Sequence, residues 1–292
     1  MSGRPVVSVI IPCHNAAPWL AQAIGSALDQ TWPPREVIVV DDDSTDGSLD
    51  VALRAAAAAP EQVRVFSEPS HSGARTRNLG ALAATGEALM FLDADDVVAP
   101  GTLAALAGAL AREPFGVAVC PWFRLERAGD RWVRRPASCA PRLPGQDPLG
   151  AWLSGWYHPP CSVLWSRDAF ERAGRWDERS AVNDDGDLMM RALAADVPFV
   201  EASEGAGYYR RLPGGQVTQS GRRFTREGLV VRIRTIRKVG YFLEQRGRLG
   251  PYRAPLAGAL DRIASEARDH HHPDIAREAR ACAREYGPSI RA

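Results

Sequence analysis

The sequence predicts an α/β protein built on a mostly parallel, doubly wound sheet. Three observations carry this. β-Branched runs alternate with helical stretches through the first hundred residues. The runs are mostly apolar, as in strands buried on both faces. Aspartate clusters stand directly after two of them. Residues 6–11 form the first strand. Residues 18–30 follow as a helix, with Trp19, Leu20, Ala23, Ile24, Ala27 and Leu28 at helical spacing, and Pro33 and Pro34 close the segment. Strands are then expected at 36–40, 63–66 and 87–92, separated by helices at 49–59 and 73–84. The middle is less regular. A helix is expected at 103–111, and strands at 116–122, 131–134 and 161–165. The proline-rich segment 137–148 reads as a loop able to act as a lid. A helix over 187–195 and strands at 199–202 and 207–210 follow. From Arg222 the pattern is helical to the end, broken at Gly250–Pro251 and at Pro273.

Composition narrows the class. With 292 residues, the chain holds one large domain or two small ones. The 45% apolar and 24% charged content is that of an ordinary globular protein. A net charge of +1 argues against a protein that coats nucleic acid. Lysine occurs only at Lys238, so the basic side chains are almost all arginine. No stretch approaches the roughly 18 apolar residues of a membrane span, and the short N-terminal apolar run reads as a strand rather than a secretory leader. The cysteines (Cys13, Cys120, Cys139, Cys161 and Cys282) are odd in number and form no C-x-x-C pair. That excludes a disulfide framework or a zinc knuckle and points to a reducing cytoplasm.

The acidic clusters are the candidate chemistry. Asp41, Asp42 and Asp43 follow the second strand, ahead of Ser44, Thr45, Asp46 and Gly47. A helix cap needs one such residue, whereas a carboxylate at a strand end can accept hydrogen bonds from a base or ribose. Asp93, Asp95 and Asp96 follow the fourth strand and offer the hard oxygen ligands that suit Mg²⁺ or Mn²⁺. Asp184, Asp185 and Asp187 exceed what the start of one helix needs, and a carboxylate held there is a candidate general base. Ser72 to Gly80 opens a helix with small residues, Arg75 and Arg77, a pattern suited to phosphate. No G-K-[ST] follows, and the first strand does not lead into G-x-G-x-x-G. P-loop and nicotinamide sites are therefore disfavoured.

In order and spacing these segments resemble the family 2 glycosyltransferases of GT-A fold, over residues 6–212. Ser8-Val9-Ile10-Ile11-Pro12-Cys13-His14-Asn15 resembles the family's first strand and nucleotide loop. Asp41 to Gly47 resembles its "DD-x-S-x-D-G" segment, and Arg77-Asn78-Leu79-Gly80 its "A-R-N-x-G" helix. Leu92-Asp93-Ala94-Asp95-Asp96 resembles its "L-D-x-D-D" metal motif. Gly174-Arg175-Trp176-Asp177-Glu178 with Asp184-Asp185-Gly186-Asp187-Leu188 resembles its acceptor region.

The resemblance implies a Rossmann-like catalytic domain over 1–220, with a nucleotide-sugar half (1–100) and an acceptor half (101–220), and a helical extension over 221–292. It implies that Pro12, His14, Asn15, Asp42, Arg77, Asp93 and Asp95 bind the donor. Asp42 would meet the base, Asp93 the ribose, and Asp95 the divalent cation, Mn²⁺ or Mg²⁺. Asp185 would deprotonate the acceptor hydroxyl. Trp156, His158 and Asp184 are the candidate acceptor contacts. The family's histidine after Tyr-Arg is absent, since Arg211 and Leu212 follow Tyr209-Arg210. The implied function is inverting, metal-dependent sugar transfer from a nucleoside diphosphate sugar, UDP by default. The acceptor would be a glycan, a lipid-linked molecule or a small molecule in bacterial polysaccharide synthesis. Two alternatives stand beside it: a haloacid-dehalogenase-like phosphatase using Asp41 and Asp43, and an inactive nucleotide-sugar-binding protein.

Weaker features complete the reading. His270-His271-His272 precedes Pro273 at a helix break and reads as a solvated loop. The tryptophans at 152, 156, 165 and 176 are mostly core, with one or two suited to a sugar face. Arg222, Arg223, Arg226, Arg232, Arg234, Arg237 and Lys238 alternate with aliphatic residues. Such a segment suits peripheral contact with the inner face of a membrane, packing on the catalytic domain, or a homodimer contact.

Overall fold

The computed structural model describes residues 3–180, 182–212 and 219–287. In chain order the elements are β1 (Val7–Cys13), α1 (Ala17–Leu28), β2 (Glu36–Asp41), α2 (Ser48–Ala58), β3 (Val63–Ser67), α3 (Gly73–Ala83), β4 (Ala88–Phe91), β5 (Val97–Val98) and α4 (Thr102–Leu110). Then come β6 (Val117–Val119), β7 (Trp122–Ala128), β8 (Arg131–Pro136), α5 (Pro148–Leu153), β9 (Val163–Ser166), α6 (Arg167–Arg172) and α7 (Asp184–Ala194). The last are β10 (Phe199–Glu201), β11 (Gly207–Arg210), α8 (Gln219–Arg222), α9 (Arg226–Gln245), α10 (Arg253–Asp269) and α11 (Pro273–Glu285). The helical reading of the C-terminus extends over residues 288–292, which lie outside the described residues.

The chain divides into two compact units. The first holds residues 1–138, 158–178 and 197–214; the second holds 139–157, 179–196 and 215–292.

The first unit contains both sheets. The larger has the order β10-β6-β9-β4-β1-β2-β3 and is parallel except at β9, which runs antiparallel to β4 and β6. β1, β2 and β4 are buried along almost their whole length, which is why they read as mostly apolar runs. The chain moves outward from β1 to β2 and β3, then returns to place β4 on the other side of β1. That reversal leaves a crevice at the carboxyl ends of β1 and β4. Gly80 lets α3 lie close on the sheet, because a Cβ there would stand 2.3 Å from Ile10 Cγ2. The smaller sheet has the order β5-β11-β7-β8. β5 begins directly after Asp96, so this sheet grows out of the acidic turn.

The single strand expected over 116–122 is two, β6 and β7, because Pro121 interrupts the ladder. β5, α5 and α6 are too short to carry a readable period, and α7 starts at Asp184 rather than 187.

In the second unit, α9, α10 and α11 pack through Leu229, Ile233, Val239, Leu243, Leu256, Leu260, Ile263 and Ile275, all buried. The basic side chains of 222–238 largely meet acids within this unit. Arg226 pairs with Asp274 (2.6 Å), Arg232 and Arg223 with Glu266 (2.5 and 3.5 Å), and Lys238 with Asp187 (2.7 Å). His270 closes α10 and stacks on Phe224 with ring centroids 4.3 Å apart. Among the described residues, no helix is long and apolar enough to cross a membrane.

Candidate active site

The loops that follow β1, β2 and β3 are tied to one another by side chains. The first N–H groups of α1 receive no cap from their own segment. Ser48 Oγ accepts from Ala16 N (2.8 Å) and Asp46 Oδ2 from Ala17 N (3.0 Å), so the loop after β2 caps the helix after β1. Asn15 reciprocates, accepting from Thr45 N at 2.9 Å. Asn15 (φ 51°) and Asp43 (φ 58°) are left-handed, a conformation that Asn and Asp tolerate best among residues with a Cβ. Of the three aspartates, Asp41 is buried and accepts from Ser44 N at 3.2 Å, and Asp43 is exposed.

Asp42 anchors the loop after β3. Its Oδ1 accepts from Ser70 N (2.7 Å) and His71 N (2.6 Å), and its Oδ2 from Ser72 N (3.1 Å) and Thr76 Oγ1 (3.3 Å). Burial works against its charge, but these donors outweigh it and hold the carboxyl below its ordinary range. Of the segment 72–80 that the sequence offers to phosphate, the Ser72 N–H turns to Asp42, together with those of Ser70 and His71. His14 is exposed and donates from Nδ1 to Asp42 O at 2.6 Å, while Asn15 Nδ2 lies 3.2 Å from its Nε2. Pro12, the penultimate residue of β1, is half-buried.

Arg77 and the acidic turn meet in the crevice. The buried Arg77 of α3 donates from Nη2 to Asp93 Oδ1 at 2.6 Å, and its guanidinium lies 4.7 Å over Trp176. Asp96 is fully buried. Its N–H donates to Asp93 O, and its Oδ1 accepts from Arg210 N at 2.8 Å, which pins the turn to β11. Burial, with the charge of Asp93 beside it, pushes the Asp95 carboxyl up to about 6.

This donor set fits a divalent cation. The turn gathers carboxylate oxygens whose mutual repulsion a cation relieves. No cluster of three or more metal-ligating side chains occurs among the described residues. One or two carboxylates, completed by phosphate and water, are enough to hold a Mg²⁺- or Mn²⁺-type ion.

Arg210 was not singled out by its sequence. It is buried, with Trp19 (4.7 Å) and Trp132 (5.2 Å) against its guanidinium and Gln22 Oε1 at 2.8 Å from Nη2. The preceding Tyr209 was its only local signal. Arg211 is exposed and lies over Tyr209. His158 is buried, with Nδ1 3.3 Å from Ser162 Oγ, and burial depresses its pKa to about 3.

In the second unit, the acids at the start of α7 differ in surroundings. Asp187 is fully buried and bridges Arg191 Nε (2.8 Å) and Lys238 Nζ (2.7 Å). Asp184 is buried and accepts from Asp185 N at 3.1 Å. Asp185 is half-buried, and its Oδ1 accepts from Gly186 N at 2.8 Å. Trp156 packs edge-on against Trp152 with centroids 5.8 Å apart, and Arg142 lies over it. Within the loop ahead of α5, Arg142 Nε donates to Gln146 O and Leu143 N to Gln146 Oε1.

A mixed sheet with a topological switch, an interlocked set of loops at its carboxyl edge and an acidic turn define a GT-A-type α/β protein. Residues 8–190 match the model of the Glycosyl transferase family 2, and the chain belongs to that family. An uncharacterized glycosyltransferase of Nostoc sp. is 32% identical over 170 residues, 57% of this chain and 52% of that protein. The chain thus spans about half the length of that relative. Among solved structures, S. aureus TarS 1–349 in complex with UDP-GlcNAc has a TM-score of 0.63 at 18% identity, over 96% of this chain and 92% of that one. The mannosyltransferase PcManGT from Pyrobaculum calidifontis, in complex with GDP-Man and Mn²⁺, has a TM-score of 0.59 at 22% identity, over 98% of this chain and 77% of that one. These likenesses establish the GT-A fold.

Proposed function

We propose that this chain is an inverting glycosyltransferase. It moves a sugar from a nucleoside diphosphate sugar, with UDP as the nucleotide, to an acceptor hydroxyl in bacterial glycan or glycoconjugate synthesis. The observation that supports this best is the acidic turn Asp93–Asp96 at the switch point of the sheet, with Arg77 bonded to Asp93.

Each residue then has a task. Pro12, His14 and Asn15 line the nucleoside side, and Asp42, whose four hydrogen bonds keep the neighbouring loop in register, meets the base. Asp93, oriented by Arg77, accepts from the ribose. Asp95 would hold a divalent cation, Mn²⁺ or Mg²⁺, which would supply positive charge against the leaving diphosphate. The acceptor oxygen attacks the anomeric carbon and the bond to the diphosphate breaks. The nucleoside diphosphate leaves with that electron pair, and Asp185 takes the hydroxyl proton. One base and an in-line displacement invert the anomeric centre without a carboxylate nucleophile. His158, Trp156 and Asp184 belong to the acceptor side, where the burial of His158 gives it a shaping role. We place the reaction in the cytoplasm. The ion pairs within 222–238 favour packing over a membrane surface for that segment.

The test is nucleotide release and binding with UDP-, GDP- and dTDP-sugars, in Mn²⁺, Mg²⁺ or EDTA, on wild type and Asp185→Asn. The expected result is metal-dependent binding of one donor by both proteins, with release lost in the variant. Absence of metal-dependent binding of every donor overturns the reading.

A further inference from the structure

The β7–β8 hairpin carries Arg124, Arg127, Arg131, Arg134 and Arg135 against Glu126 and Asp130, a net +3 in a chain whose whole net charge is +1. The register sorts these side chains between two faces. On one face Trp132 lies edge-on to Trp19 and Arg134 lies over Phe123, while the other begins with the buried Trp122, edge-on to Tyr209. On the other face Arg124 and Arg135 stand directly opposite each other, followed by the pairs Glu126–Val133 and Ala128–Arg131. Arg211 joins this face beside Tyr209, its N–H extending the ladder to Leu125 O at 2.8 Å. Four arginines therefore share one face with one carboxylate. Glu126 lies 2.8 Å from Arg124 and 4.0 Å from Arg135, and Arg131 and Arg211 have no acidic partner among the described residues.

Two simpler readings fall short of this pattern. Arg124 and Arg135 stand opposite each other with the single carboxylate of Glu126 beside both, so cross-strand pairing accounts for one of the four positive charges on this face. Protecting an edge strand such as β8 from pairing takes one charge rather than four. Position adds to this. In the order β5-β11-β7-β8, at about 4.8 Å per strand, the hairpin lies roughly 10–14 Å from β5 and the acidic turn, within reach of a short oligosaccharide.

We propose that this face docks an acidic glycan chain, the anionic part of the acceptor whose terminal hydroxyl is glycosylated. The proposal rests on the glycosyltransferase reading above for the acceptor's role, and on the hairpin alone for its charge.

The test uses oligogalacturonate as probe, with maltooligosaccharide of equal length as the uncharged control. Three proteins are compared: wild type, R131Q/R135Q/R211Q, and the control R277Q/R280Q/R284Q on the exposed face of α11. We expect oligogalacturonate affinity to fall about ten-fold in the hairpin variant, from loss of several exposed ion pairs, and to hold in the control. The charge reversal R131E gives a second, single-site measurement of the same loss. Removing like charges does not weaken the hairpin, so the melting temperature stays level or rises. Equal loss in both triple variants overturns the proposal. So does oligogalacturonate binding no tighter than maltooligosaccharide. A loss confined to phosphatidylglycerol vesicles, with glycan binding unmoved, makes the face a membrane contact and overturns it too. Metal-dependent donor binding is measured on the same proteins. Its absence from wild type fails the glycosyltransferase reading and leaves the hairpin result readable separately.

Discussion

Arg77 donates to Asp93 at 2.6 Å while its guanidinium lies 4.7 Å over Trp176. One side chain thus joins α3 to the acidic turn after β4 and to the aromatic segment near residue 176. The contact fixes Asp93 before any ligand arrives, and it places a buried positive charge beside the carboxylates.

Replacing Arg77 by methionine keeps the apolar stem and removes the charge. Asp93 then loses its partner, and its side chain is one-quarter exposed, so part of the cost is relieved by water. We expect a stability loss of about 2 kcal/mol by urea unfolding and a ten-fold or greater weakening of donor binding by calorimetry. An unchanged donor affinity would remove Arg77 from the donor site.

Asp95→Asn is expected to act with opposite signs on stability and binding. Burial and the charge of Asp93 oppose ionisation of Asp95, so its charge costs the metal-free fold. The variant gains on the order of 1 kcal/mol in EDTA and loses the rise in melting temperature that Mn²⁺ with donor gives wild type. Differential scanning calorimetry with and without the metal reads both.

The aspartates at the start of α7 separate structure from chemistry. Asp187→Ala leaves Arg191 and Lys238 without the carboxylate they share, and we expect a loss of about 3 kcal/mol. Asp185→Asn keeps an acceptor for Gly186 N and should melt within roughly 2 °C of wild type while transfer is abolished. Matched melts and activities of the two variants decide this.

Glu36 predicts an acid-sensitive step. It accepts from Ser8 Oγ (2.8 Å), from Thr85 N and Oγ1 (2.7 and 2.6 Å) and from Arg64 Nη1 (2.6 Å). Burial alone would raise its pKa, but the Thr85, Arg64 and Ser8 donors outweigh it and hold the group at about 2, against 4.5 unperturbed. The folded value is the lower one, so Glu36 stabilises the fold above pH 4.5, and that contribution is lost as pH falls toward 2. Chemical denaturation from pH 6 to 2.5 should find wild type losing on the order of 2 kcal/mol more than Glu36→Gln. Parallel curves would exclude the linkage.

Much of the fold was legible in the linear pattern. β1, β2 and β4 are buried on both faces, and such strands are apolar at most positions, so their runs stand out. The acidic clusters are legible because adjacent carboxylates are costly to bring together and are seldom kept without a use. The division of labour within each cluster was not legible. Asp41, Asp42 and Asp43 are equivalent in the sequence, yet one is buried, one holds four donors and one is exposed in a left-handed turn.

The linear order of residues carries the alternating α/β pattern, the acidic clusters at the strand ends, and the family. All of these depend on local periodicity and short-range spacing. Only the tertiary structure decided which partner each polar group takes. Asp42 reaches residues 70–76, Arg77 reaches Asp93, Arg210 lies against Trp19 and Trp132, and Lys238 pairs with Asp187. These contacts join residues far apart in the chain, and β-strand register together with burial selects them. A buried charge or N–H must find its partner wherever folding brings one within reach, and chain order holds no record of that choice.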